Sequence, residues 1–145
     1  MSFSDKLRSD HRSKRDIEKE RQINRYASIV NQKDRIVAEF RQKCLFATQN
    51  GERSISYIVD VCPRPGEYGG IEYSCTIEKS DISAARALCM DVKAELIKEH
   101  FKKLSVDLVH LRFHDSYLYV LFLFPVSIKK KDKAGRHNMV IEASW

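Results

Sequence analysis

The sequence predicts an α+β domain in the order α-ββ-α-βββ, with a long N-terminal helix and helices packed on one largely antiparallel sheet. Two observations lead to this prediction. All 5 glycines and all 3 prolines lie after position 50, so the first fifty residues contain no helix breaker and favour one long helix or two abutting ones. Beyond position 50, stretches with a two-residue period, typical of strands, flank one stretch with the helical period.

The first fifty residues divide by their apolar content. Apolar residues are scarce before Ile23, so residues 1–22 are predicted to form a basic, polar helical arm. From Ile23 a heptad pattern predicts an amphipathic helix over residues 23–50, which lies either on the chain's own sheet or in a coiled coil between chains. For the second alternative, with a dimer favoured, the candidate interface residues are Ile23, Tyr26, Val30, Val37 and Phe40.

Residues 23–145 are predicted to form a single α+β domain. Alternation at Ser54–Val61 and again from Ile71 predicts a hairpin over residues 53–78, joined by a loop that holds Pro63 and Pro65. Ser80 is a candidate N-cap for a helix over residues 81–104.

The remaining strands are predicted within residues 106–145. A strand over 106–113 is followed by a turn at 114–116. The stretch Tyr117–Ile128 is apolar on both faces, which predicts a central strand covered on each side. The final residues, 139–145, are predicted to form an edge strand.

This order of elements resembles the roadblock and profilin-like class of small α+β domains. The resemblance lies in topology alone and carries no sequence motif. It implies a domain that dimerises and acts as an adaptor.

Positive charge is concentrated in two segments. The chain carries a net charge of +6, and its bases cluster in residues 1–50 and in a loop over residues 129–136. Bases on a helix and a loop can contact the phosphates of a nucleic acid, although the acids interleaved in the arm are equally typical of a solvated, salt-bridged helix. The candidate nucleic-acid contacts are Arg8, Arg12, Lys14, Arg15, Lys19, Arg21, Arg25, Lys129, Lys130, Lys131, Lys133 and Arg136.

Signatures of catalysis and of metal binding are missing from the sequence. No nucleophile elbow or phosphate-binding loop occurs, so we expect no catalytic residue and no cofactor. His110 and His114 would share a face of one strand, but a zinc site needs further ligands that show no site spacing, so we expect no metal.

Cysteine usage and hydropathy predict a cytoplasmic protein. The four cysteines occur singly, as buried, reduced thiols do, although Cys62 and Cys75 could face each other across the predicted hairpin. No apolar run reaches membrane-spanning length, and no apolar segment follows the basic N-terminus.

The sequence therefore favours a non-enzymatic, self-associating binding module. Its arm and basic loop are predicted to contact an acidic partner, with nucleic acid preferred over acidic protein. The alternative is a protein–protein adaptor of roadblock or profilin-like topology. An enzyme is the third class, and it would need a cleft that assembles His110, His114, Asp115 or Cys62.

Overall fold

The computed structural model describes residues 2–110, 113–120, 124–131 and 135–145, with the backbone alone for 113–120 and 124–131. It confirms the α+β class, with a long N-terminal helix, a second helix and antiparallel strand pairs. In chain order, the elements are α1 (Phe3–Val30), α2 (Lys33–Gln49), β1 (Ser54–Val59), β2 (Cys62–Pro65), β3 (Ile71–Ser74), α3 (Ile82–Ile97), β4 (Lys103–His110), β5 (Phe113–Val120), β6 (Phe124–Lys131) and β7 (His137–Ser144).

The first fifty residues form two helices, so the single amphipathic helix predicted over 23–50 is divided. The break falls at Asn31 and Gln32. The Gln32 side chain is buried, and its amide nitrogen donates to the carbonyl oxygens of Ser28 at 2.8 Å and Val61 at 2.7 Å. These buried hydrogen bonds, rather than a glycine or proline, account for the break.

Helix α1 extends far beyond the part that packs on the body. Its N-terminus is closed by a capping box between Ser2 and Asp5, in which the Ser2 hydroxyl also lowers the pKa of Asp5. Ile29 is the buried residue of α1, and no side chain of residues 2–22 is buried. At 1.5 Å per residue, the segment from Phe3 to Gln22 is about 28 Å long.

The central sheet has the strand order β1-β7-β4, and both pairs are antiparallel. The prediction that the last strand is an edge strand is therefore wrong, because β7 lies in the centre. Met139, Ile141 and Ala143 of β7 are buried, and the residues between them are half-buried or exposed. One face of the sheet is thus covered by the helices, whereas the described β7 side chains on the other face are half-buried or exposed.

The hairpin predicted over 53–78 is smaller than expected and pairs differently. β1 pairs with β7, and the hairpin consists of β2 and β3. The chain bends at Asp60, whose carbonyl oxygen accepts a hydrogen bond of 2.6 Å from the Arg35 guanidinium. Cys62 pairs with Ser74, so Cys62 does not face Cys75, and both are free thiols.

Helix α3 ends well before the predicted boundary at residue 104. His100 adopts a left-handed backbone conformation with a φ of 57°, which ends the helical path. Phe101 and Leu104, predicted on the helix, lie after it, and Leu104 belongs to β4. A short 3₁₀ turn, Lys79–Asp81, precedes α3, so Asp81 takes the N-cap position predicted for Ser80.

The central strand predicted over Tyr117–Ile128 is also wrong. The described residues of this stretch belong to β5 and β6, which pair antiparallel with each other, with Val120 opposite Phe124. The turn predicted at 114–116 lies inside β5. A continuous apolar run has no period that marks where one strand ends and the next begins.

The core lies between the helices and the inner face of the sheet. The ring of Phe40 from α2 is fully buried, with its centroid 6.4 Å from that of Tyr57 and 5.9 Å from that of Phe101. Phe101 in turn contacts Trp145 edge to face at 6.5 Å. Among the described residues, no helix is both long and apolar enough to cross a bilayer.

We predict that Phe40→Ala lowers the free energy of unfolding by about 3–5 kcal/mol, because it leaves a cavity among packed rings. Leu45→Ala, on the same helix but 65% exposed, should change it by less than about 0.5 kcal/mol. Urea unfolding of the two variants measures both values. Equal losses would contradict the inward position of Phe40.

Candidate nucleic-acid interface

Four bases of the arm form a row on one side of α1, here called the basic row: Arg8, Arg12, Arg15 and Lys19. At 3.6 residues per turn they fall within about 60° of arc and span about 16 Å along the axis. The acidic residues of α1 lie outside this arc: Asp5, Asp10, Asp16, Glu18 and Glu20. The acids therefore flank the basic row rather than interrupt it; Asp16, for example, lies one helical turn from Arg12.

The basic row is exposed and unpaired within the part of the chain that the structure describes. All four side chains are exposed, and none takes part in an ion pair there. The alternative interpretation of the arm as a solvated, salt-bridged helix is therefore not supported by any ion pair within residues 2–22. The two other predicted arm contacts, Lys14 and Arg21, are exposed on a different side of α1.

Arg25, predicted as a phosphate contact, is instead engaged with the body. Its Nε and Nη2 atoms donate to the two carboxylate oxygens of Asp81 at 2.9 and 2.8 Å, and Nη1 donates to the carbonyl oxygen of Pro63 at 3.4 Å. The hydrogen bond to Asp81 raises the pKa of Arg25. The Asp81 side chain is 6% exposed, so this pair, here called the clamp, fixes α1 to the start of α3.

The second basic segment, residues 129–136, lies partly in a strand and partly outside the described residues. Lys129, Lys130 and Lys131 belong to the end of β6, not to a loop, and pair in register with Asp115, His114 and Phe113 of β5. Lys133 lies outside the described residues. Arg136 is half-buried just before β7 and has an interaction partner.

The candidate self-association residues have separate locations. Val37 and Phe40 are buried in the chain's own core, so the part of the heptad on α2 packs on the sheet and is withdrawn from a partner. Val30 packs half-buried against the same core. Ile23 and Tyr26 are 68% and 46% exposed, and with Lys19 and Gln22 they line a shallow depression at the base of the arm.

The predicted histidine pair lies on two strands. His110 ends β4 and His114 belongs to β5, so the assumption of one regular strand through both was wrong. His110 is instead the register partner of His137 in β7, with ring centroids 4.6 Å apart. Over the described ranges, no cluster of three or more ligating side chains could hold a metal ion.

Asp81 and Gln32 hold the arm in place, and the sequence analysis missed both. The chain contains no local signal for either role, because Arg25 and Asp81 are 56 residues apart and Gln32 binds Val61, which is 29 residues away.

Comparisons with protein-family models, with curated proteins and with solved structures find no match for this chain. The topological resemblance to roadblock and profilin-like domains stays a prediction.

We predict that Asp81→Asn lowers the free energy of unfolding by about 1–3 kcal/mol, because it leaves the Arg25 guanidinium without its buried counter-charge. Arg25 is partly exposed, so water limits the loss. Asp34→Asn is the matched control, since its side chain is 98% exposed and the expected change is below about 0.5 kcal/mol. The same small change in both variants would show that the clamp is not structural.

Proposed function

We propose that this chain is a non-enzymatic cytoplasmic module that binds the phosphate backbone of nucleic acid through its helical arm. The observation that supports the proposal is the basic row: Arg8, Arg12, Arg15 and Lys19 share one exposed arc without a carboxylate in it. Lysine and arginine side chains that neutralise phosphates release condensed counterions, and this release drives binding that does not depend on sequence.

The chemistry of the row favours phosphates over a protein surface. Protein interfaces are centred on buried aromatic or apolar anchors, whereas the arc between Arg8 and Lys19 contains no apolar residue. Nothing in the arc could read base edges either, beyond the charged groups themselves. The expected binding is therefore governed by charge and independent of sequence.

The apolar content of the arm argues against a membrane surface as the partner. A helix that lies in a lipid interface needs an apolar face with large side chains opposite its basic face. Within the first 22 residues, the large apolar side chains after Met1 are Phe3, Leu7 and Ile17. They are too few and too widely spaced to form such a face.

The alternative function is a protein–protein adaptor whose charge serves solubility alone. Exposed apolar side chains on the body favour it, among them Phe46 at 66% and Ile58 at 50% exposure. The two functions differ in their response to salt, because only phosphate binding weakens steeply as counterion release loses its driving force.

We predict that the protein binds a short DNA duplex with a slope of log K against log salt of about −3 to −4, one unit for each base of the row. The triple substitution Arg8→Gln, Arg12→Gln, Arg15→Gln should flatten the slope by about 2–3 and weaken binding on the order of 100-fold at physiological salt. Fluorescence anisotropy over a series of salt concentrations measures both quantities.

The matched control changes the same number of charges on other sides of α1: Lys6→Gln, Lys14→Gln, Arg21→Gln. This variant should keep most of the affinity for DNA, because its substitutions reduce only the long-range attraction between the protein and the phosphates. Equal losses in the two triple variants would refute the row as the contact surface. No binding at low salt would refute the nucleic-acid function and favour the adaptor.

A further inference from the structure

One edge of the central sheet lacks the features that prevent pairing with another chain. β1 has the sequence Ser-Ile-Ser-Tyr-Ile-Val, without a charged residue or a proline. Within the described part of the chain, its one strand partner is β7, so its other edge offers free backbone donors and acceptors. An uncharged, regular edge of this kind is a template for a further strand.

Other edges of the same protein carry the usual protection. β4, at the opposite edge of the sheet, presents the exposed charges of Lys103 and Asp107. β2 contains Pro63 and Pro65, which remove backbone donors. β1 is thus an exception that calls for a covering element.

The surface beside β1 continues onto α2. Tyr57 of β1 lines a shallow depression together with residues of one side of α2: Glu39, Gln42, Lys43 and Phe46. The Tyr57 hydroxyl donates to the Glu39 carboxylate at 3.2 Å, and the Lys43 ammonium lies 5.1 Å from the Tyr57 ring centroid. We call this continuous area the β1–α2 surface.

We propose that a second copy of this chain pairs antiparallel with β1 across a two-fold axis, so that two three-stranded sheets join into one of six strands. A two-fold interface must be self-complementary, because the same patch meets itself. The β1–α2 surface meets this condition. It carries Glu39 and Lys43 one helical turn apart, so that with the two α2 helices antiparallel each lysine lies near the glutamate of the other copy. That glutamate also pairs with Arg35 of its own chain at 3.1 Å.

The strand alone is too small for a stable dimer, and α2 supplies the remaining area. A six-residue strand is about 20 Å long and adds about six backbone hydrogen bonds, whereas stable interfaces bury roughly 800 Å² per partner. Phe46, which is 66% exposed and lines the depression, provides an apolar group of the kind that anchors interfaces. This proposal is independent of nucleic-acid binding.

A lysine placed on either sheet edge provides a matched test. Ser56 in β1 and Ser105 in β4 both pair with Glu142 of β7, one from each side, so a lysine at either position has the same cross-strand neighbour. Ser56→Lys brings two like charges close to the two-fold axis, and we expect it to raise the dimer dissociation constant at least about tenfold. Ser105→Lys should leave the constant unchanged.

Sedimentation equilibrium over a concentration series measures these constants, with circular dichroism as the check on folding. The wild-type protein should be a dimer. A wild-type monomer at every concentration, or equal weakening by the two lysines, would overturn the proposal.

A second pair of variants tests the helix side and decides the question if Ser56→Lys fails to fold. Phe46→Gln should weaken the dimer, and Leu45→Gln should not. The two side chains are equally exposed, at 66% and 65%, but adjacent helical residues point about 100° apart, and Leu45 does not line the depression. Equal dimer constants for the two variants would overturn the role of α2.

Discussion

The ion pair between Arg25 and Asp81 is the contact on which the position of the arm depends. It joins two segments that are 56 residues apart, and the carboxylate lies almost wholly out of water. On the C-terminal side of the clamp, Ile29 and Gln32 are buried and the helix belongs to the core. On the N-terminal side, no side chain up to residue 22 is buried. The clamp therefore separates the part of α1 that stabilises the body from the part that is available to a partner.

The clamp also helps to explain why the exposed arm stays helical. Starting a helix is costly, whereas extending one adds a hydrogen bond for each residue fixed. The segment from Arg25 to Val30 is held in helical form by packing on the body, so the arm extends a helix that already exists. Its capping box at Ser2 and Asp5 supports the far end. The basic row is thus presented as a straight array before any ligand arrives, which lowers the entropy lost on binding.

The two proposed surfaces use different physical forces and strengthen each other if both exist. The basic row acts by charge and is sensitive to salt, whereas the β1–α2 surface combines backbone hydrogen bonds with apolar side chains. A dimer built across β1 would carry two arms, and two linked arms bind one long polyanion more tightly than either alone. Separate tests are possible because the clamp, the basic row and the β1 edge share no residue.

How much the sequence predicted depended on whether the signal was local. The absence of glycine and proline before residue 50 correctly predicted helical structure there, and the class α+β followed from simple periodicity. The predictions that failed depended on contacts between residues far apart in the sequence. Gln32 breaks the helix by binding Val61, 29 residues away. β1 pairs with β7, the last strand, rather than with β2, which follows it in the sequence. At the candidate site, the arm bases were predicted individually. Their alignment into one row, with the acids outside its arc, could be derived only from the helix geometry. The ion pair of Arg25 could be found only from the position of Asp81 in the fold.

The measurement that most directly tests the account is hydrogen–deuterium exchange of the 145-residue chain, free and saturated with a short DNA duplex. The account predicts that amides of residues 3–22 exchange faster in the free protein than those of α2 and α3, because helical hydrogen bonds protect them but no tertiary packing does. They should become protected in the complex, while exchange in the buried parts of α2 and α3 stays slow in both. Unchanged exchange in residues 3–22 at saturation would contradict the claim that the arm is the nucleic-acid contact.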